Sequence, residues 1–123
     1  MKSVYKIGGM PPDQISMMHR CGQYFGSHGY THEWFDLLGV DGQEMEITKS
    51  LSFLASLGIP LGNWIMCYPY GCYPYSAVDD NLRSVLTRHG CALALTDHGG
   101  AANLDQDDKY MLRRIDTNEL PIC

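Results

Sequence analysis

The sequence has little positive charge and no long apolar stretch. Its 9 lysines and arginines stand against 14 aspartates and glutamates, so the formal net charge is −5, and the basic residues form no run. Nucleic acids and anionic membranes are recognised through concentrated positive charge, so neither is expected as a partner. No apolar segment approaches the roughly 18 residues that a membrane-spanning helix needs. Residues 1–6 are followed by no apolar run that would indicate a signal peptide, and the sequence therefore predicts a cytoplasmic location.

The cysteines show no regular spacing. The five cysteines are Cys21, Cys67, Cys72, Cys91 and Cys123. An odd number with no CxxC pair argues against a disulfide framework and against a closed zinc knot. Cys67, Cys72 and Cys91 lie in or beside apolar runs, where a thiol behaves as a small hydrophobic side chain.

The chain has the length and composition of one globular domain covering residues 1–123, with 45% apolar residues. Short apolar runs alternate with helix-like segments. The predicted strands are residues 4–7, 24–27, 63–68, 91–96 and 110–115. The predicted helices open at Pro11-Pro12, cover residues 42–57 and lie within residues 74–89. This alternation predicts an α/β fold of mostly parallel strands with flanking helices.

Two of these segments carry the clearest patterns. The helix over residues 42–57 has an apolar stripe near the 3.6-residue period, followed by Gly58 as a stop. The stripe consists of Met45, Ile47, Leu51, Leu54 and Ala55. Residues 91–96 are almost continuously apolar, and this is typical of a strand buried on both faces.

Polar residues follow the predicted strands at the points where each strand ends. Residues 28–32 follow the strand that begins at Tyr24, and residues 69–71 follow the strand that ends at Tyr68. Asp97 and His98 follow Thr96, and Asp116 follows Ile115. Sites in parallel α/β folds gather at the carboxyl ends of strands, so these residues are expected to converge on one face.

His28 and His32 are the strongest candidates for metal ligands in this set. If a helical turn begins at His28, both imidazoles project from one side with Cβ atoms about 5–6 Å apart, close enough to share a cation. Two surface histidines at helical spacing are the alternative interpretation.

The segments around these residues resemble a known family. Residues 26–32, Gly-Ser-His-Gly-Tyr-Thr-His, resemble the second motif of the polysaccharide deacetylases, carbohydrate esterases that include chitin and peptidoglycan deacetylases. Residues 67–71, Cys-Tyr-Pro-Tyr-Gly, resemble the third motif. Residues 46–50 between them match a Glu-Ile-x-x-Ser run, and the likeness extends from about Gly22 to Gly90.

The resemblance implies a partial (β/α) barrel and metal-assisted hydrolysis of N-acetyl groups on a carbohydrate. It implies that His28 and His32 bind zinc or another divalent metal. Pro69, Tyr70 and Gly71 would line the substrate groove, and the backbone N–H of Tyr70 would serve catalysis by helping to form the oxyanion hole. A simple strand-ending turn is the alternative interpretation of residues 69–71.

The sequence also departs from the family pattern. The first motif, Thr-Phe-Asp-Asp, supplies a general base and the third zinc ligand, and no such segment precedes His28. The Asp-Asp pairs at residues 79–80 and 107–108 do not follow predicted strands. Cys67 stands where an arginine often opens the third motif. In residues 95–98, Leu-Thr-Asp-His, the histidine lies one place later than in the family's Leu-x-His motif.

Asp97, His98 and Asp116 are the candidates to replace the missing third ligand or acid–base group, because they follow strands on the same face. Loop residues of these types also cap helices or lie in solvent. We therefore expect weak or lost deacetylase activity. The alternative is a non-catalytic remnant that binds metal or carbohydrate, or a subunit that completes a partner's barrel.

The same departures bear on assembly. Without a first barrel strand, the neighbouring strand edge lacks a partner, and proteins commonly cover such edges by self-association. The sequence therefore predicts a homodimer or a higher oligomer.

Overall fold

The computed structural model describes residues 10–71 and 80–121. These residues contain three α-helices and two β-strands. The helices are α1 (Pro12–Arg20), α2 (Val40–Ser56) and α3 (Asp80–Arg88), and the strands are β1 (Ile65–Cys67) and β2 (Leu93–Leu95). Short 3₁₀ turns cover Phe35–Leu37, Pro69–Gly71 and Thr117–Glu119. The predicted strand at residues 4–7 lies outside the described residues.

The centre of the fold is a small parallel sheet. Strand β1 pairs with β2 so that Ile65 lies opposite Leu93 and Cys67 opposite Leu95. Ser27 forms a single parallel bridge with Met66 on one side, and Leu112 forms one with Leu95 on the other. Four segments of chain thus lie side by side, and the predicted parallel α/β arrangement is confirmed. The barrel is not seen in the residues that the structure describes.

Two of the predicted strands are much shorter than expected. The segment 24–27 pairs only at Ser27, and Tyr24 is 62% exposed rather than buried. The segment 110–115 pairs only at Leu112. The prediction for residues 91–96 is also wrong in detail, because Leu93 and Leu95 are only half-buried while Ala94 and Thr96 are buried. This strand therefore buries one face more completely than the other.

The helices agree with their predicted positions more closely. Helix α1 begins at Pro12, a position where the missing N–H of proline costs no intrahelical bond. Helix α2 begins two residues before the expected Gly42, and α3 ends at Arg88, directly before His89 and Gly90. The part of the predicted third helix at residues 74–79 lies outside the description. Apolar periodicity therefore locates the helices well.

The buried face of α2 differs from the predicted stripe. Ile47, Leu51 and Leu54 are buried as expected, whereas Met45 is 48% exposed and Ala55 is exposed. The other buried residues of the helix are polar: Gln43, Glu46 and Ser50. Spacings of three and four residues place all six on one face. The prediction was wrong at Met45 and Ala55 because it counted apolar residues alone.

The hydrophobic core packs α2 and α3 against the sheet. It contains Phe35, Ile47, Leu51, Trp64, Met66, Tyr68, Leu82, Val85, Leu86, Cys91, Ala94 and Tyr110. Burial raises the pKa of the Cys91 thiol to about 11, so Cys91 is a protonated, apolar core residue as predicted. Cys21, Cys67 and Cys91 are all free thiols.

The hydroxyl groups of two core tyrosines form long-range hydrogen bonds. The Tyr68 hydroxyl donates to the Tyr110 carbonyl at 2.8 Å, and the Tyr110 hydroxyl donates to the Cys91 carbonyl at 3.1 Å. These bonds attach the segment around Leu112 to the sheet. Among the described residues, no helix is both long and apolar enough to cross a membrane.

Candidate functional site

The histidine segment is anchored at the carboxyl end of β1. The Ser27 N–H donates to the Ile65 carbonyl, and the Ser27 carbonyl accepts from the Cys67 N–H, both at 2.9 Å. These two bonds align Ser27 with Met66, the middle residue of the strand. The chain that follows Ser27 must therefore leave the sheet at the same edge as the chain that follows Cys67.

Residues 28–32 form a loop, and the conditional expectation of a helical turn at His28 is wrong. Gly29 has a φ of 76° and His32 a φ of 62°, both in the left-handed region. The two imidazoles nevertheless meet, with ring centroids 4.8 Å apart and planes inclined at 68°. The predicted proximity of His28 and His32 thus arises from a loop with two left-handed residues, and not from helical periodicity.

A hydrogen bond to the strand selects the tautomer of His28. Its Nδ1 lies 2.6 Å from the Cys67 carbonyl oxygen. A carbonyl can only accept, so Nδ1 carries the proton and Nε2 is the basic nitrogen. Loss of water around the ring lowers the pKa of His28, the bond to Cys67 opposes that shift, and the charges of His32 and Arg114 lower the pKa further. The imidazole is therefore neutral near pH 7, the form that binds a metal.

Tyr70 lies beside this pair, in a turn that follows β1. Its backbone is left-handed (φ 59°, ψ 14°), and its ring packs edge-on against His32 with centroids 4.8 Å apart. The Tyr70 ring also stacks on the ring of Trp34, with centroids 4.5 Å apart and an angle of 8° between the planes. The three rings of His32, Tyr70 and Trp34 join the histidine loop to the turn Pro69–Gly71.

Asp97 is the candidate replacement ligand that lies closest to this turn in the described contacts. A Cβ atom placed on Gly71 would lie 2.1 Å from Cγ of Asp97, so the carboxylate side chain packs directly on that glycine. Gly71 itself has a φ of 74°. Because residue 71 has no side chain, Asp97, which lies two residues after β2, can approach the turn.

His98 and Asp116 have identifiable structural contacts. The His98 N–H donates to the Thr96 hydroxyl at 3.2 Å, and the His98 carbonyl accepts from the Arg114 N–H at 3.1 Å. Asp116 caps the turn Thr117–Glu119 by accepting from the Asn118 N–H at 2.8 Å. Over residues 10–71 and 80–121, no group of three or more His, Cys, Asp or Glu side chains is placed to hold a metal ion. The third-ligand and acid–base roles of Asp97, His98 and Asp116 remain predictions.

Two neighbours of the site lie outside the sequence motifs. Arg114 donates from Nη1 to the Cys67 sulfur at 3.0 Å, so a guanidinium from a distant segment reaches the residue that replaces the motif arginine. Trp34 reaches Tyr70 as described. The aromatic residue two places after His32 was a visible signal for Trp34, whereas the 47-residue separation of Arg114 from Cys67 left none.

A cleft opens directly beside both imidazoles. It has a volume of about 280 Å³ and is lined by Gly26, His28, Gly29, Tyr30, His32, Ser50, Phe53 and Leu54. A second cleft of about 310 Å³ is lined by Asp97, Arg114, Ile115, Asp116 and Thr117. The site therefore presents a histidine pair next to a partly apolar hollow, and a second hollow is lined by both acidic and basic side chains.

Comparison with known proteins assigns the fold and the family. Solved structures with the same fold include the deacetylase PplD of Streptococcus pyogenes, determined in complex with acetate, with 22% identity and a TM-score of 0.76 over 92% of this chain. A family 4 carbohydrate esterase of Streptomyces lividans, also in complex with acetate, has 23% identity and a TM-score of 0.58 over 68% of this chain. No curated protein sequence matches the chain.

Residues 3–94 match the polysaccharide deacetylase family, and the chain belongs to that family. The predicted resemblance to this family is thereby confirmed. The chain spans 48% of the length of the streptococcal protein and 40% of the streptomycete one.

Gly71 provides a test of the contact that brings Asp97 to the turn. We expect Gly71→Ala to lower the free energy of unfolding by about 1–2 kcal/mol for the left-handed backbone and by about 1–3 kcal/mol more for the overlap with Asp97. Gly90→Ala is the matched control, because Gly90 has a φ of 78° and an added Cβ would meet nothing within 4 Å. Urea denaturation measures both variants. Equal losses of stability would show that Asp97 does not pack against Gly71.

Proposed function

We propose that this chain is a polysaccharide-deacetylase domain in which His28 and His32 hold a divalent metal, zinc before others, for hydrolysis of N-acetyl groups on a carbohydrate. The observation that carries the proposal is the meeting of the two imidazoles, 4.8 Å apart, beside the turn that contains Tyr70. The site thus combines metal-binding nitrogens and a candidate oxyanion donor at the carboxyl edge of one sheet.

The chemistry of the histidine pair fits a metal. Cys67 holds the proton of His28 on Nδ1, and such a bond from the second ring nitrogen is what orients metal-ligating histidines. The pair supplies two of the three protein ligands that hydrolytic zinc sites use, and among the described residues no third His, Cys, Asp or Glu side chain is placed to join them. A metal bound in such a site lowers the pKa of a bound water and polarises a carbonyl.

Tyr70 is proposed to serve the reaction through its backbone. The left-handed conformation at Tyr70 turns the chain sharply, and Pro69 and Gly71 flank it. An N–H held in a fixed turn can stabilise the negative charge that develops on the acyl oxygen, because its dipole needs no reorganisation during the reaction. The stack of Trp34 on Tyr70 and the packing of Asp97 on Gly71 hold this turn from two sides.

The proposed substrates carry acetyl groups. Both structural neighbours were determined with acetate, which is the product released when an N-acetyl group is hydrolysed. The cleft of about 280 Å³ beside the imidazoles offers Phe53 and Leu54 as apolar walls. A hollow of this kind suits an acyl methyl better than a charged group, because burying an unpaired charge is costly.

A non-catalytic role is the second candidate, and the lack of a third ligand in the described residues favours it. The protein would then retain metal or carbohydrate binding, or would complete the barrel of a partner. A general base is needed to take the proton of the attacking water, and neither His28 nor His32 can do so while binding a metal. Asp97 and Asp116 are the residues that could supply this function if the chain is active.

Metal binding is the first prediction from this proposal. Zinc titration and elemental analysis of the purified chain should show stoichiometric binding that the double substitution His28→Ala/His32→Ala abolishes. His19→Ala, which removes a histidine from α1, is the control and should bind as the unaltered chain does. Unchanged binding by the double variant would remove the histidine pair from the site.

Weak or absent turnover is the second prediction. Positioned acid–base groups contribute about 10²–10⁴-fold to rates, and the sequence supplies no Thr-Phe-Asp-Asp segment to provide them. Release of acetate from acetylated chito-oligosaccharides measures the activity of the 123-residue chain. A rate equal to that of a complete deacetylase, lost in His28→Ala, would contradict the prediction, and Asp97→Ala and Asp116→Ala would then locate the base.

Self-association is the third prediction. The described sheet is narrow, and Tyr24, close to its Ser27 edge, is 62% exposed. Contact between two such edges would cover apolar surface and pair backbone groups, so we expect a dimer or higher oligomer. Light scattering across a wide concentration range measures the mass. A stable monomer at micromolar concentration that binds no hydrophobic dye would contradict this expectation.

A further inference from the structure

Glu46 is a buried carboxylate in the middle of α2, and it faces the histidine loop. Only 2% of the surface of Glu46 is exposed to solvent. Buried charges are tolerated in proteins only when hydrogen bonds replace the lost water. The partners of Glu46 therefore indicate what its charge is used for.

Within residues 10–71 and 80–121, the hydrogen bonds that the Glu46 carboxylate accepts come from Tyr30 and Thr31. Oε2 accepts from the Tyr30 N–H at 2.7 Å and from the Thr31 N–H at 2.9 Å, while Oε1 accepts from the Thr31 hydroxyl at 2.5 Å. Burial alone would raise the pKa of Glu46, but the bonds from Thr31 and Tyr30 outweigh it and lower the pKa, so the group is ionised at neutral pH. Bonds to an ionised acceptor are stronger than those between neutral groups.

The two residues that donate to Glu46, Tyr30 and Thr31, lie between His28 and His32. The loop there contains left-handed backbone at Gly29 and at His32, and such conformations persist only where surrounding contacts impose them. A Cβ at Gly29 would also crowd the carboxylate, because it would lie 3.1 Å from Oε2 of Glu46 and the side chain would have to shift. The loop conformation and the position of Glu46 thus depend on each other.

Ser50, one helical turn after Glu46, contacts the start of the same loop. Its hydroxyl lies 2.6 Å from the hydroxyl of Ser27, and the Ser27 hydroxyl accepts from the Gly29 N–H at 3.3 Å. Helix α2 therefore contacts the loop through Glu46 and Ser50, which lie four residues apart on one face of the helix. Ser50 acts near His28, and Glu46 acts on the two residues that precede His32.

We infer that Glu46 is a positioning residue: its carboxylate fixes the backbone of Tyr30 and Thr31 and thereby holds His28 and His32 at the separation at which they share a metal. This inference rests on the proposed metal-binding role of the histidine pair. Glu46 itself does not contact the metal in this scheme, because Tyr30 and Thr31 donate to its two oxygens.

Substitutions of the acceptor, Glu46, and of one donor, Thr31, test the inference. Glu46→Gln keeps the shape of the side chain but removes the charge. Thr31→Val removes only the hydroxyl that donates to Oε1. This second variant tests the inference even if Glu46→Gln does not fold. Thr31→Ser retains that hydroxyl as the conservative rescue. Gln43→Leu is the control for lost stability, because Gln43 is buried on the same face of α2 but donates to the Phe35 carbonyl at 3.1 Å.

Cobalt(II) is the probe, and its absorption spectrum reports both affinity and ligand geometry. We expect Glu46→Gln to weaken cobalt binding about 10–100-fold, the usual cost of losing a group that orients metal ligands. Thr31→Val should weaken it by a smaller factor, and Thr31→Ser and Gln43→Leu should bind as the unaltered chain does. Unchanged affinity in folded Glu46→Gln and Thr31→Val, or an equal loss in Gln43→Leu, would overturn the inference.

A measurement without metal separates this inference from the proposed function. In the metal-free chain, proton NMR should show a contact between the His28 and His32 rings, whose centroids are 4.8 Å apart. Glu46→Gln and Thr31→Val should weaken that contact. If the chain binds no cobalt but the contact depends on Glu46, the proposed metal site fails and the positioning role stands. If cobalt binding needs the histidines but the contact survives both substitutions, the positioning role fails alone.

Discussion

Two backbone hydrogen bonds between Ser27 and β1 underlie the arrangement of the whole site. They set the register at which the chain leaves Ser27 relative to the chain that leaves Cys67. Because parallel strands end at one edge, the histidine loop and the Tyr70 turn must emerge together there. The bond from His28 to the Cys67 carbonyl and the contact of His32 with Tyr70 are consequences of that register. A shift of one residue at Ser27 would separate all of these groups.

The sequence predicted the order of elements better than their extent. Apolar periodicity located α1, α2 and α3 to within a few residues, because helix signals accumulate over several turns. The strands predicted at residues 24–27 and 110–115 form only single bridges, at Ser27 and Leu112. Pairing depends on a neighbour far away in the chain, and a local pattern of apolar residues carries no information about where that neighbour ends. Gly26 illustrates this: a Cβ there would lie 2.6 Å from the Ile65 carbonyl, a constraint set entirely by the partner strand.

The site was predictable where its residues are close in sequence. The proximity of His28, His32 and Tyr70 could be predicted because two short motifs contain them, although the loop geometry differs from the helical turn that their spacing suggested. Arg114 and Glu46 were not found as site residues, because each reaches the motifs from another element. Left-handed backbone at His32 and Tyr70 also gives no signal, since residues other than glycine rarely adopt it. Such conformations persist where the surrounding contacts impose them, and a sequence pattern cannot report them.

The polar half of the buried face of α2 shows how the fold balances stability against position. Apolar residues at 46 and 50 would extend the stripe of Ile47, Leu51 and Leu54, and each such side chain contributes about 1.5–3 kcal/mol when buried. Glu46 and Ser50 instead satisfy backbone and hydroxyl donors of the histidine loop. An apolar residue would leave the Tyr30 and Thr31 N–H groups without their acceptor, at no more than about 1–3 kcal/mol for each, because both donors are only partly buried. The two alternatives are of similar magnitude, so stability alone does not select the carboxylate. The requirement that does select it is a loop held in one conformation, with its two imidazoles facing each other.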